Sequence, residues 1–201
     1  MARPQKIDFV KTHKDLYTAT RKVKEVNPGK GCYLSVSGKG EPGGTAFQKA
    51  IEKLYAVAYT LKFNLLLSEV LDFGVPPFEC QWEIDAPGRT PRSKWAWTLS
   101  MRIPEQVTPR QVNAARKAVL DKRALDTSEV KRLMRTEGRS LQVLHVGPYD
   151  EMPRTYEALQ AHADGQGLRL SGYCRELYLN NPQRTQVAKL KTIVPVPVRR
   201  R

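Results

Sequence analysis

Cysteine is scarce in this chain of 201 residues: there are three, Cys32, Cys80 and Cys174. The odd count, the wide spacing and the lack of any CxxC or CxxH pair exclude a disulfide framework and argue against a zinc site, so no metal is expected. Reduced thiols point to the cytoplasm. Long apolar runs are missing too. The longest, residues 61–75, is broken by Lys62, Asn64, Ser68, Glu69 and Asp72, which excludes a membrane-spanning helix and so membrane insertion. The first residues carry no apolar core of a secretory leader. His13, His145 and His162 are too scattered for a metal site or a Ser/His/Asp assembly. The glycine-rich stretch 38–44 fits neither GxGxxG nor GxxxxGK[ST], so no nucleotide or other cofactor is expected.

Acidic charge is also short. The chain has 34 Lys+Arg against 20 Asp+Glu, a formal net charge of +14. The excess sits in three segments: residues 1–30 and 108–139 each carry +5, and residues 184–201 carry +6. Such a surplus raises nucleic acid as a partner. No zinc-finger spacing or RNA-recognition motif accompanies it, so a solvated basic surface is favoured. Residues 199–201, three arginines, are expected to form a frayed tail.

What is present is a repeated pattern. Leu34 and Val36 alternate with Ser35 and Ser37, the period of a half-buried strand. Thr45, with Gln48 three residues on, predicts a helix start. Phe47, Ile51, Leu54, Ala58, Leu61 and Leu65 then form one apolar helical face. Strands are predicted over 78–85 and 95–103. A basic connector follows, with one helix opened by Thr108-Pro109 and a second, shorter one from Asp126 or Thr127 to about residue 138. Then the order recurs: a strand around Leu141, Val143 and His145, a helix facing inward with Tyr156, Leu159 and Ala163, and strands over 172–179 and 187–194. The expected organisation is a basic segment 1–30, repeat one over 31–103, connector 104–138, repeat two over 139–198 and the tail. Each half is βαββ, an α+β unit that needs a partner to close its core. A cleft between two such halves is a natural ligand site.

Glu176 lies mid-strand in the run 174–179, and Glu79 occupies the corresponding strand of the first half, beside Trp82. A carboxylate inside a strand must be solvated, paired or used. Trp82, Trp95 and Trp97, the only tryptophans, fall on two predicted neighbouring strands. They suit either core packing or an aromatic wall, which Tyr149, Tyr173 and Tyr178 would extend. A carboxylate among aromatic faces favours a lipophilic cation.

The motifs Leu144-His-Val-Gly-Pro-Tyr-Asp-Glu151, Gly172-x3-Glu176-Leu-Tyr-Leu-Asn-Asn-Pro182, Lys189-Leu-Lys-Thr192 and Pro195-Val-Pro-Val198 together resemble the GyrI-like small-molecule-binding family. In the first half, Tyr33-Leu-Ser-Val-Ser-Gly-Lys-Gly40, Pro77-Phe-Glu-Cys-Gln-Trp82 and Trp95-x-Trp-x-Leu-x-Met101 resemble its stand-alone, two-repeat branch. The resemblance implies two βαββ repeats in a saddle-shaped antiparallel sheet with helices on one face. It implies a pocket with Glu176 as its acidic residue and Tyr149, Tyr178, Trp82 and Trp97 as its aromatic lining; Glu79 and Trp95, singled out on the predicted strands, complete the candidate ligand-binding set. Residues 1–30 are too short for a helix-turn-helix, so a complete regulator is not expected. A subgroup of the family hydrolyses cyclopropanoid DNA-alkylating natural products; in that reading Glu176 and Tyr149 are catalytic. A binding module for lipophilic small molecules is favoured over the hydrolase, and both over a nucleic-acid- or gyrase-associated protein.

Overall fold

The computed structural model describes residues 4–83 and 90–201. Its elements are β1 (Lys6–Ile7), α1 (Phe9–Thr12), α2 (Lys14–Tyr17), β2 (Lys24–Val26), β3 (Gly29–Lys39), α3 (Thr45–Leu67), β4 (Asp72–Phe73) and β5 (Glu79–Glu83). Then come β6 (Ala96–Ile103), α4 (Pro109–Arg123), β7 (Lys131–Glu137), β8 (Ser140–Val146), α5 (Met152–Gly165), β9 (Leu168–Leu170), β10 (Arg175–Tyr178) and β11 (Lys191–Arg200). The main sheet is antiparallel and runs β2-β8-β11-β10-β5-β6-β3-β7, with β9 added beside β11. Strands β1 and β4 pair separately.

The order within the sheet is the repeat made visible. β3, α3, β5 and β6 form one βαββ unit, and β8, α5, β10 and β11 the other. In each, the last strand inserts between the other two. The units join edge to edge where β5 meets β10, with Glu176 opposite Cys80 and Leu177 opposite Glu79.

Period-two alternation sorts the strand residues onto two faces. Cys32, Leu34 and Val36 of β3, Cys80 and Trp82 of β5, and Trp97, Leu99 and Met101 of β6 pack with Leu54, Ala58, Leu61 and Leu65 of α3. Leu141 and Val143 of β8 and Val194, Val196 and Val198 of β11 pack with Met152, Leu159 and Ala163 of α5. The two cores are separate, so the joint between the repeats lies between α3 and α5. Gly38 is needed because the Trp97 indole crosses β3 there: a Cβ at Gly38 would stand 2.3 Å from the ring.

Four expectations change. Residues 131–137 form strand β7, not a second connector helix. Asp126 accepts from the Ser128 backbone N–H at 2.8 Å, a turn rather than a helix cap, and β7 then covers the open edge of β3. Helix α3 is capped by Gly44, without a side-chain hydrogen bond, and Thr45 is its first residue. The last strand runs on through Pro195 and Pro197 to Arg200 instead of ending at residue 194. Those prolines fall between the stretch of β11 paired to β10 and the stretch paired to β9, where a missing N–H costs no ladder bond. The arginines at 199–201 are therefore docked: Arg199 and Arg200 pair with Arg169 and Leu168, and Arg201 forms an ion pair with Asp164. The distal part of the strand expected over 78–85, and the turn after it, lie partly outside the described residues. Thr108 and Gln111 make the capping box of α4, with Pro109 at its first position.

Candidate functional site

Glu176 stands at the centre of the joint. It alternates with Arg175 and Leu177, which turns its side chain to the helix-bearing face, beside Cys80 of the other repeat. The residue is 8 % exposed. Both carboxylate oxygens are occupied: the Tyr156 hydroxyl donates to Oε1 at 2.6 Å and the Tyr178 hydroxyl to Oε2 at 2.6 Å. Such short bonds to a charged acceptor are stronger than neutral ones and offset part of the cost of burial.

Aromatic rings flank this carboxylate on both sides. Tyr178 meets Phe78 at 5.1 Å between centroids and Tyr149 edge-on at 5.8 Å. Phe78 continues to Tyr55 of α3. Beyond Cys80, Trp82 stacks on Phe47 at 5.4 Å and meets Trp95 edge-on at 5.7 Å. Trp95 is fixed by its indole N–H, which donates to the Thr90 carbonyl at 3.0 Å. His145 ties the backbone just before Tyr149 to helix α5. The Nε2 of His145 lies 3.0 Å from the Pro148 carbonyl, an acceptor only, and Nδ1 lies 2.7 Å from the Thr155 hydroxyl. The neutral tautomer with Nε2–H satisfies both partners.

Burial, and then the Glu176 charge, raise the phenols of Tyr149, Tyr156 and Tyr178 above their ordinary range. The same two causes push the Cys174 thiol up to about 11 and raise Cys80 as well. Neither thiol is a nucleophile at neutral pH. The chemistry available is that of one carboxylate and several neutral phenols. It can bind a cation, orient a water or donate a proton. Among the described residues no group of three or more metal-ligating side chains comes together.

Tyr149, Tyr178, Trp82, Trp95 and Glu176 are thus brought to the joint. Trp97 is not on its surface: it is buried in the first core, edge-on to Phe47. Glu79 lies on the opposite face, where it pairs with Arg135 and, at 3.0 Å, with Arg175, while Glu137 pairs with both arginines. Tyr156 has a place at the joint that the sequence reading gave only to helix packing. The signal was available, since a tyrosine on an inward helix face needs a polar partner for its hydroxyl.

Two βαββ repeats joined at a carboxylate with aromatic flanks define a class, the small-molecule-binding module. Residues 32–199 match the family model of the GyrI-like small molecule binding domain, and the chain belongs to that family. An uncharacterized conserved protein from Listeria innocua is 34 % identical, covers 96 % of this chain and 100 % of its own, and superposes with a TM-score of 0.91. A protein described as a hydrolase from Listeria innocua is 35 % identical, with 96 % and 100 % coverage and a TM-score of 0.88. The EcmrR C-terminal domain shares the fold alone, at 12 % identity, 90 % and 97 % coverage and a TM-score of 0.61. No curated protein matches the chain. No helix among the described residues is long and apolar enough to cross a membrane.

Proposed function

We propose that the joint between the repeats, residues 31–103 and 139–198, binds lipophilic, cationic or polycyclic small molecules, with Glu176 as the central counter-charge and Tyr149, Tyr178, Trp82 and Trp95 as the aromatic walls. The observation that carries this reading is the buried Glu176 carboxylate held by two phenols at 2.6 Å between aromatic groups. A buried charge is costly unless something of opposite sign meets it. At 4 Å and an effective dielectric constant near 20, a ligand cation gains about 4 kcal/mol from the carboxylate before its own desolvation. The role fits protection against a drug or toxin. Three unpaired cysteines support a cytoplasmic setting. A thermal-shift screen with matched cationic and neutral polycyclic dyes tests it, because ligand binding to the folded state raises the melting temperature. Cations are expected to raise it more than neutral dyes; no shift with any dye contradicts the reading.

A second reading, hydrolysis of a strained cyclopropanoid alkylating agent, is favoured by relatives at 34 and 35 % identity that are described as hydrolases. Here Glu176 accepts a proton from water as the water oxygen bonds to a ring carbon. The carbon–carbon bond opens, and its electron pair moves to the conjugated carbonyl, which a phenol such as Tyr149 protonates. Turnover by the wild type, lost in Glu176→Gln while the alkylating agent still binds, supports catalysis. Binding without turnover by the wild type excludes it.

A further inference from the structure

The face of the sheet away from α3 and α5 carries a charge problem that the joint around Glu176 does not use. Arg102, Arg135 and Arg175 gather there with, among the described residues, only two carboxylates, Glu79 and Glu137. Both oxygens of Glu79 are taken, by Arg135 and Arg175. Glu137 is taken by the same two arginines. The surplus cation is Arg102. It is 6 % exposed, its guanidinium donates to the Lys30 carbonyl at 2.9 Å, and among the described residues it makes no ion pair. Arginine cannot relieve burial by losing its proton. The Tyr33 ring, 5.8 Å away, offers a quadrupole but no charge, and Arg135 sits closer on it at 4.1 Å.

A small cavity of about 20 Å³ opens beside this arginine, and Tyr17, Tyr33, Glu79, Arg102 and Arg175 line it. Gly31 leaves room for the arrangement: a Cβ there would stand 3.0 Å from the Tyr33 hydroxyl and 3.1 Å from the Arg102 guanidinium carbon. A space of that size holds one water-sized species, for which roughly 10–15 Å³ suffices. It is too small for sulfate or phosphate. Leu16, Tyr17 and Pro28 bring the N-terminal stretch to its rim. That stretch is also tied down by Gln142, whose amide donates to the Asp15 carbonyl at 3.0 Å.

We propose that this cavity binds one small inorganic anion of halide size, held by Arg102 with the Tyr17 and Tyr33 hydroxyls, and that the anion fastens the N-terminal stretch to the sheet. The anion supplies the charge that the arginine cluster lacks. A water molecule in the same place supplies only a dipole.

The test uses the full chain and sodium bromide. Crystals soaked in bromide are expected to show an anomalous peak in the cavity, within hydrogen-bonding reach of Arg102. In solution, bromide at about ten times its dissociation constant raises the melting temperature by about 4 °C over gluconate at equal ionic strength. Any rise with sulfate, which stabilises folded proteins by exclusion from their surface, is the same in the wild type and in Arg102→Met. Arg102→Met abolishes the halide-specific rise, and the milder Tyr17→Phe reduces it if the arginine variant does not fold. An empty or water-filled cavity in the bromide crystals overturns the proposal. So do equal rises with bromide, sulfate and gluconate.

Discussion

Glu176 and Glu79 are both strand carboxylates near the joint, yet their surroundings give them different work. Among the described residues Glu176 is met by no arginine or lysine: its partners are two phenols, which in the proposed role leaves its charge to an incoming cation. Glu79 is spent on Arg135 and Arg175. Removing one member of a buried ion cluster leaves the others uncompensated and costs about 3–5 kcal/mol. Glu79→Gln is therefore expected to lower stability by that amount in chemical denaturation while dye affinity holds. The reverse pattern would make it a ligand residue. Alternation already separates the two roles in the sequence, since Glu79 must face away from Trp82 within β5. What the sequence lacks is the identity of the arginines waiting on the other face, which only the pairing of β7 and β10 with their neighbours supplies.

The phenols and thiols around Glu176 give a second prediction at this scale. Their folded values are raised above the ordinary 9.0 for cysteine and 10.0 for tyrosine. Acids raised on folding keep a proton that the unfolded chain gives up. The stability they contribute is full below their unfolded values and falls as pH rises through about 9 and beyond. Unfolding midpoints are expected to be flat between pH 7 and 8.5 and to drop on the alkaline side. A midpoint that climbs above pH 9 contradicts the burial of these groups.

At the scale of elements, the βαββ order was legible because each half obeys its own period: two in β3 and β8, and near 3.6 in α3 and α5. The misread segments are those where local chemistry speaks one way and pairing another. Asp126 and Thr127 look like a helix start, but the open edge of β3 recruits residues 131–137 as a strand. Residues 199–201 look like a solvated tail because arginine side chains advertise water, whereas their backbone continues β11. Deleting residues 199–201 removes two strand pairings with β9 and is expected to cost about 1–2 kcal/mol, as a few lost backbone hydrogen bonds do. Thermal melting checks this, and an unchanged midpoint would return the tail to solvent.

For the whole molecule, the net charge of +14 sits oddly with the proposed binding of cations at the joint. Part of that surplus is internal: Arg102 is buried and makes no ion pair among the described residues, and Arg132 is half-buried with its guanidinium on the Val107 and Glu105 carbonyls. The remaining basic surface lies in solvent, where salt screens it within about 8–10 Å. The buried carboxylate at the joint acts at short range, and in the function we propose it is this carboxylate, not the distant basic surface, that selects the sign of the ligand.

That claim is tested most directly by calorimetric titration of the wild type and Glu176→Gln with one cationic dye and its neutral isostere. A carboxylate acting as counter-charge predicts that the substitution weakens the cation at least tenfold, about 1.4 kcal/mol, and the neutral isostere by clearly less. Equal weakening of both dyes in a folded variant would contradict it and leave Glu176 as a structural anchor for Tyr156 and Tyr178.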